Sequence, residues 1–343
     1  MLTCRCLRGK TVREPQRTLI FTLSHFHSHS LSGACHRISL AICPSASQAM
    51  LILSCSSKLR LLEGILRKNL FQTLPVHGVV MNINRGNPVG HEVIVDSWPE
   101  FKAVLTRPHR EVASDDLNIH VNTYAAFYWD LDVYRTLLQD TDAVNWAQNL
   151  YILGNQDGIL EASREAAAVK KVQFSADSFI TYMCHDPNKY PEYRLDPGFT
   201  LSSLNSSHVD LLNETWHYGG NEQSHRYLAS LVRHFPSACI LDVNGLPISW
   251  NLMNLFGTMV HGYTLPSHRR KGYLAVVAKA LAIQVHAAGY PVYSQVALDN
   301  NRTHNFHEKM GYERLPELCH FCFHFVKEEN IKDFPWASKQ APR

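Results

Sequence analysis

Apolar residues recur at helical spacing from Leu59 through Leu62, Ile65 and Leu66 to Leu70. Lys58, Arg60, Arg67 and Lys68 fall largely on the other side, which predicts an amphipathic helix. Residues 74–83 form a valine-rich apolar run and read as a strand. Asn84-Arg85-Gly86-Asn87-Pro88 is a turn cluster. Short strands are expected at residues 93–95 and 103–105, and helices at 133–139 and 160–172. Pro187, Pro191, Pro197 and Gly198 crowd one stretch and mark a linker at residues 184–198. Beyond it the pattern predicts helices at 207–216 and 224–234, then strands at 238–243 and 247–253. Asn244-Gly245 between these strands is a hairpin signal. A strand at 258–265, a helix at 272–288, a strand at 292–297, a helix at 302–309 and a strand at 318–326 complete the order. Helices and strands mixed in this way predict an α/β (α+β) fold. No internal repeat of short fixed period is visible.

Residues 1–49 differ from the rest. They hold Arg5, Arg8, Lys10, Arg13, Arg17 and Arg37 against the single acid Glu14, and they are rich in serine. That is the composition of a mitochondrial transit peptide, and equally of an unstructured extension, so the expected placement is mitochondrial, with cytoplasmic as the alternative. The expected organisation is a basic extension at 1–49, a first domain at 50–197, a second at 198–328 and a tail at 329–343.

The whole chain of 343 residues carries 33 Lys plus Arg against 30 Asp plus Glu, a net charge of +3. This near-balance argues against a dedicated nucleic-acid binder. With 45% apolar residues the chain can build a sizeable core, and global disorder is excluded. No apolar run approaches the ~18 residues of a membrane-spanning helix. Nine scattered cysteines do not suggest a disulfide framework. Cys319-His320-Phe321-Cys322 has no second pair at zinc spacing and reads as part of a strand, so no metal site is expected.

The segment richest in chemistry is Thr264-Leu265-Pro266-Ser267-His268-Arg269-Arg270-Lys271-Gly272-Tyr273-Leu274. A strand ends, and a basic turn with a glycine opens a long helix. Backbone N–H groups and the positive helix end then point at one spot, which suits a phosphate. A solvated basic surface is the plainer reading of this segment alone.

Pro-x-x-Arg-x-x-Gly after a strand resembles the acyl-CoA pyrophosphate loop of the GNAT superfamily of N-acyltransferases. Arg269 and Gly272 match its fixed positions; Leu274 stands where the pattern has a small residue. Asn300, followed by a helix and Gly311-Tyr312, resembles a second element of that pattern. His307 occupies the place where the superfamily often has a tyrosine acting as general acid toward the thiolate. Trp216-His217-Tyr218-Gly219-Gly220-Asn221-Glu222, Met81-Asn82-Ile83-Asn84-Arg85-Gly86-Asn87-Pro88, Asp96-Ser97-Trp98-Pro99 and Asn145-Trp146 resemble, in order and spacing, the glycine N-acyltransferase family. The resemblance runs from Met50 to about residue 326.

It implies a GNAT fold in the C-terminal half, preceded by an N-terminal domain that shapes the acyl pocket or an interface and is itself a candidate degenerate copy of that fold. It implies transfer of an acyl group from acyl-CoA to the amine of glycine, giving N-acylglycine and CoA by direct attack in a ternary complex. Acyl-CoA would be a co-substrate, with no permanently bound cofactor. Tyr263, Thr264, Leu265, Arg269, Arg270, Lys271, Gly272, Tyr273, Leu274 and Asn300 would bind CoA, Glu222 would be the general base, and His307 a candidate acid. Loss of catalysis with retained acyl-CoA binding, and acylation of protein lysines, are the competing expectations. Acyl preference, the amino-acid acceptor and oligomeric state stay open.

Overall fold

Leu59, Leu62 and Leu66 form the buried stripe of helix α1 (Ser56–Arg67), as their spacing predicts. The next segment corrects the expectation. Residues 74–83 are not a strand; they belong to helix α2 (Leu70–Asn84). Every residue from Thr73 to Asn82 is buried, so no polar face exists from which a helical period can be read. Pro75 lies inside this helix and cannot donate to the carbonyl of Phe71. The Asn155 side-chain amide donates to that carbonyl instead, at 2.7 Å.

The computed structural model describes residues 50–192 and 194–327, which belong to one compact unit. The expected extension at 1–49 and tail at 329–343 lie outside the described residues. From its start the unit runs β1 (Leu51–Leu53), α1, α2, β2 (His91–Val95), β3 (Ala103–Pro108), β4 (Thr123–Tyr128), α3 (Leu131–Gln139), β5 (Leu150–Gly154), α4 (Asp157–Lys170) and β6 (Gln173–Cys184). Then follow β7 (Thr200–Ser202), α5 (Val209–Thr215), α6 (Glu222–His234), β8 (Ser237–Leu241), β9 (Pro247–Met253), β10 (Met259–Thr264), α7 (Tyr273–Ala287), β11 (Val292–Ala297), α8 (Asn301–Lys309) and β12 (Glu313–Phe325). The two halves have the same order of helices and strands. The chain therefore carries one topology twice, a repeat too long to appear as a short period.

The halves are interlocked. An eight-stranded sheet has the order β1-β2-β3-β4-β5-β12-β6-β11, and a four-stranded sheet the order β10-β9-β8-β7. β12, the last strand of the second half, lies antiparallel between β5 and β6 of the first. β6 in turn pairs with β11 of the second half. Each half thus receives its terminal strand from the other. Residue 197 marks a change along the chain rather than a gap in space.

α2 pins this arrangement beneath the β9–β10 turn. Its Asn82 amide donates to the Leu255 carbonyl at 2.6 Å and accepts from the Tyr290 hydroxyl at 2.7 Å. A Cβ on Gly78 would overlap the Phe256 carbonyl, whereas one on Gly64 of α1 would meet nothing. Alanine at an exposed helix position gains up to ~1 kcal/mol over glycine, while overpacking costs ~1–3 kcal/mol. Gly64→Ala should therefore raise the melting temperature and Gly78→Ala lower it. Thermal melts of the pair check this, and a rise in both would refute the close approach.

Candidate active site

Parallel strands meet once in each half, and differently. β4 and β5 hold register over Thr123–Ala125. β10 and β11 are joined only through the single parallel bridge Thr258–Tyr293, just before β10 begins. Beyond that bridge both strands border a cleft of about 1030 Å³. The four-stranded sheet, the N-terminal end of α7, α8 and β12 supply its walls, and Ile119 and His120 reach it from the first half's β3–β4 loop.

At the C-terminal end of β10 the chain makes the basic turn. Arg270 and Gly272 have φ of 66° and 84°, left-handed values that glycine adopts freely. Gly272 is the N-cap of α7 and has no side chain to cap it. Among the described residues, the N–H groups of Arg270, Lys271, Gly272, Tyr273 and Leu274 find no protein acceptor. Open N–H groups at a helix N-terminus, with cations beside them, make an anion site. Arg269 braces the turn: its Nε donates to the Thr264 carbonyl at 3.1 Å, and its guanidinium lies 5.5 Å over the Tyr263 ring. In the first half, Asp130 takes the N-cap place of α3, and its carboxylate accepts from the N–H groups of Asp132 and Val133. That turn caps itself with an anion and has no room for another.

β10 carries a bulge. Val260 faces Leu252 and Tyr263 faces Trp250, so His261 and Gly262 stand opposite Asn251 alone. His261 has φ of 57°. A Cβ on Gly262 would lie 3.3 Å from Leu274 Cδ1. The large residue at 274 is thus matched by a missing side chain at 262. Around the bulge the cleft is aromatic. The Trp216 ring lies 4.3 Å from His261 and 5.8 Å from Tyr227, and His120 stacks on Tyr227 at 5.2 Å. Burial pushes the His120 pKa down to about 4 and that of His261 to about 3, with repulsion from His120 adding to the latter.

Of the residues expected to bind CoA, Tyr263, Thr264, Arg269, Arg270, Gly272, Tyr273, Leu274 and Asn300 line the cleft, while Leu265 and Lys271 do not. Asn300 is also the N-cap of α8, its side chain accepting from Thr303 N–H at 3.1 Å. His307 lines the cleft. Its Nδ1 is 2.8 Å from the Thr303 carbonyl, which only accepts, so Nδ1 carries the proton and Nε2 accepts from the Ser294 hydroxyl. Burial lowers its pKa to about 4. The ring is engaged at both nitrogens, Nδ1 with the Thr303 carbonyl and Nε2 with the Ser294 hydroxyl. Glu222 begins α6 outside the cleft lining. Its side chain is 70% exposed and accepts from Arg226 Nε at 2.9 Å.

Sequence reasoning passed over His120, His261, Ser294, Arg302 and Lys309, all of which line the cleft. Arg302 follows Asn300 by two residues at the N-terminal end of α8, a signal open to reading, whereas Lys309 lines the cleft from the other end of that helix. Nothing local marks His120, which depends on a loop of the other half. The Cys319–Cys322 segment is strand β12, and among the described residues no group of three His, Cys, Asp or Glu side chains can hold a metal.

Known proteins resemble this chain over most of its length. The profile of the aralkyl acyl-CoA:amino acid N-acyltransferases matches residues 50–236, and that of their C-terminal region residues 238–321. The chain belongs to this family. Human glycine N-acyltransferase is 33% identical over 280 residues, covering 77% of this chain and 93% of that protein. Bovine glycine N-phenylacetyltransferase is 34% identical over 273 residues, covering 73% and 92%. An X-ray structure of a Drosophila protein superimposes with a TM-score of 0.66 at 16% identity, over 81% of this chain and 98% of that one, a likeness of fold alone. As a family member the chain is an acyltransferase of GNAT fold that uses acyl-CoA and an amino acid. No helix among its described residues is long and apolar enough to cross a membrane.

Proposed function

We propose that the chain transfers an aralkyl acyl group from acyl-CoA to the amine of glycine, by direct attack in a ternary complex. The observation that carries this reading is the continuity of one cleft from the open N–H groups of the 269–274 turn to the aromatic surround of the β10 bulge. CoA phosphates would occupy the turn, with the Arg270 cation beside them. The pantetheine arm would pass between β10 and β11. The thioester carbonyl would meet the bulge, where preset backbone donors polarise it without reorganisation. Trp216, Tyr227 and His120 offer an apolar, flat-sided surround suited to an aromatic acyl group. The relatives named for glycine and for phenylacetyl transfer support the choice of substrates.

Glu222 is the general base implied by its motif, and in that role its carboxylate must leave Arg226 when substrates bind. Glycine-dependent release of CoA should be seen with benzoyl- or phenylacetyl-CoA and be weaker with acetyl-CoA. Glu222→Gln should then lose ~10²-fold in kcat. Acyl-CoA binding without release for any amino acid would favour a protein that has lost catalysis. Release that depends on a lysine peptide instead of glycine would move the acceptor to protein.

A further inference from the structure

Four histidines line the cleft, and they are not equivalent. His307 is engaged at both ring nitrogens, and His268 lies at the basic turn with its Nδ1 2.9 Å from the Ser267 hydroxyl. His120 stacks on Tyr227 from a loop of the first half. His261 alone stands on β10 itself, in the bulge, next to the residue on which Leu274 of α7 packs. Neither of its ring nitrogens has a hydrogen-bond partner among the described residues, although the ring is half-buried between Trp216, Tyr227 and the strand. Its nitrogens are not among the sealed, unpartnered polar atoms of the interior, so the ring is open to a molecule bound in the cleft.

We propose that the His261 imidazole carries the proton from the reacting amine to the departing thiolate. The inference rests on the acyl-transfer reading above. The amine nitrogen attacks the thioester carbonyl carbon and the N–C bond forms. The C–S bond breaks and its electron pair leaves on sulfur. The proton shed by nitrogen passes to the free ring nitrogen, and from there to sulfur, giving the CoA thiol and neutral imidazole again. The apolar surround keeps the ring in its neutral form, so the lone pair is always available. The imidazolium formed in passing is a much stronger acid than a thiol of ordinary pKa ~8.5, which drives the second transfer. Glu222 would keep the separate task of freeing the amine from its ammonium form.

The test uses two substitutions that suit a left-handed residue, His261→Gly and His261→Asn, since both tolerate a positive φ. CoA release is measured with phenylacetyl-CoA and glycine, with and without added imidazole. The expected result is a loss of ~10²-fold or more in kcat for both variants, with KM for phenylacetyl-CoA changed less than ~3-fold. Free imidazole should restore part of the rate in the glycine variant and none in the asparagine variant, whose side chain fills the space. Circular dichroism reports folding, and the asparagine variant stands alone if the glycine variant unfolds. A kcat within ~3-fold of the parent chain in the folded variants would overturn the proposal. So would a loss expressed in KM and unmoved by imidazole, which marks a packing role. Absence of turnover in the unaltered chain would instead overturn the transferase reading, and this inference with it.

Discussion

Replacing Gly272 with aspartate will raise the KM for acyl-CoA by about 10²-fold while leaving the chain folded. The first half supplies the reasoning. There Asp130 sits before α3 and its carboxylate satisfies the N–H groups of Asp132 and Val133. A self-supplied anion occupies the spot, and the turn can hold no phosphate. In the second half Gly272 leaves the corresponding groups of α7 open. Asp130 caps from an extended backbone and Gly272 is left-handed, so aspartate at 272 acts by setting a negative charge against the incoming pyrophosphate. Losing charge-assisted hydrogen bonds costs ~1.5–3 kcal/mol, which is a factor of ~10–150 in affinity. Asparagine is the control, because it has the same shape at the same φ without the charge. Steady-state kinetics at saturating glycine, with melting curves beside them, make the measurement. Equal KM values for the two variants would mean that backbone strain, not an anion site, accounts for the loss.

The same contrast explains what was legible in the sequence. The basic turn is a local feature: a strand, Arg269, Gly272 and a helix lie within a few residues, and local chemistry can be read directly. β9 and β11 were expected with their observed bounds because turn residues punctuate the second half closely. The strands β4, β5 and β6 went unread. β5 and β6 pair with β12, from more than a hundred residues away, and no local pattern encodes an exchanged strand; β4, between β3 and β5, is buried over Thr123–Phe127 and so shows no alternation. α2 was misread because burial on all sides removes the polar face that distinguishes helix from strand. Glu222 shows the other limit. Its motif leads to the right neighbourhood, since Trp216 and Tyr218 beside it line the cleft, but not to the direction of its side chain. His261 became visible only with the bulge that exposes it, because a register slip depends on both strands at once.

Acid will destabilise this protein steeply from pH ~6.5 downward. Four histidines of the core are held neutral by burial: His77, His91 and His307 with pKa lowered to about 4, and His324 to about 3. In the unfolded chain each returns to ~6.5. Between these values the unfolded state binds protons that the folded state refuses, so stability falls as pH falls. The contribution is complete above pH ~6.5, declines through pH 6 and 5, and is lost by pH ~4 for three of the rings and by pH ~3 for His324. A lowering to about 4 costs roughly 3 kcal/mol per histidine across that window and that of His324 to about 3 roughly 5 kcal/mol, on the order of 15 kcal/mol for the four at full effect. That is comparable to the ~5–15 kcal/mol of a whole domain. Urea midpoints measured from pH 7.5 down to 4.5 should therefore drop steeply below pH 6.5, with an apparent uptake of several protons on unfolding. His77 isolates one share of the effect. It is fully buried in α2, and neither of its ring nitrogens has a partner among the described residues. His77→Leu removes both the proton site and two unsatisfied polar atoms while keeping an apolar side chain there. The variant should gain stability at pH 5 over the parent chain by more than it does at pH 7.5, and its proton uptake should fall by about one. A pH-independent midpoint in the parent chain, or an unchanged slope in the variant, would mean that these rings are not held neutral by the fold.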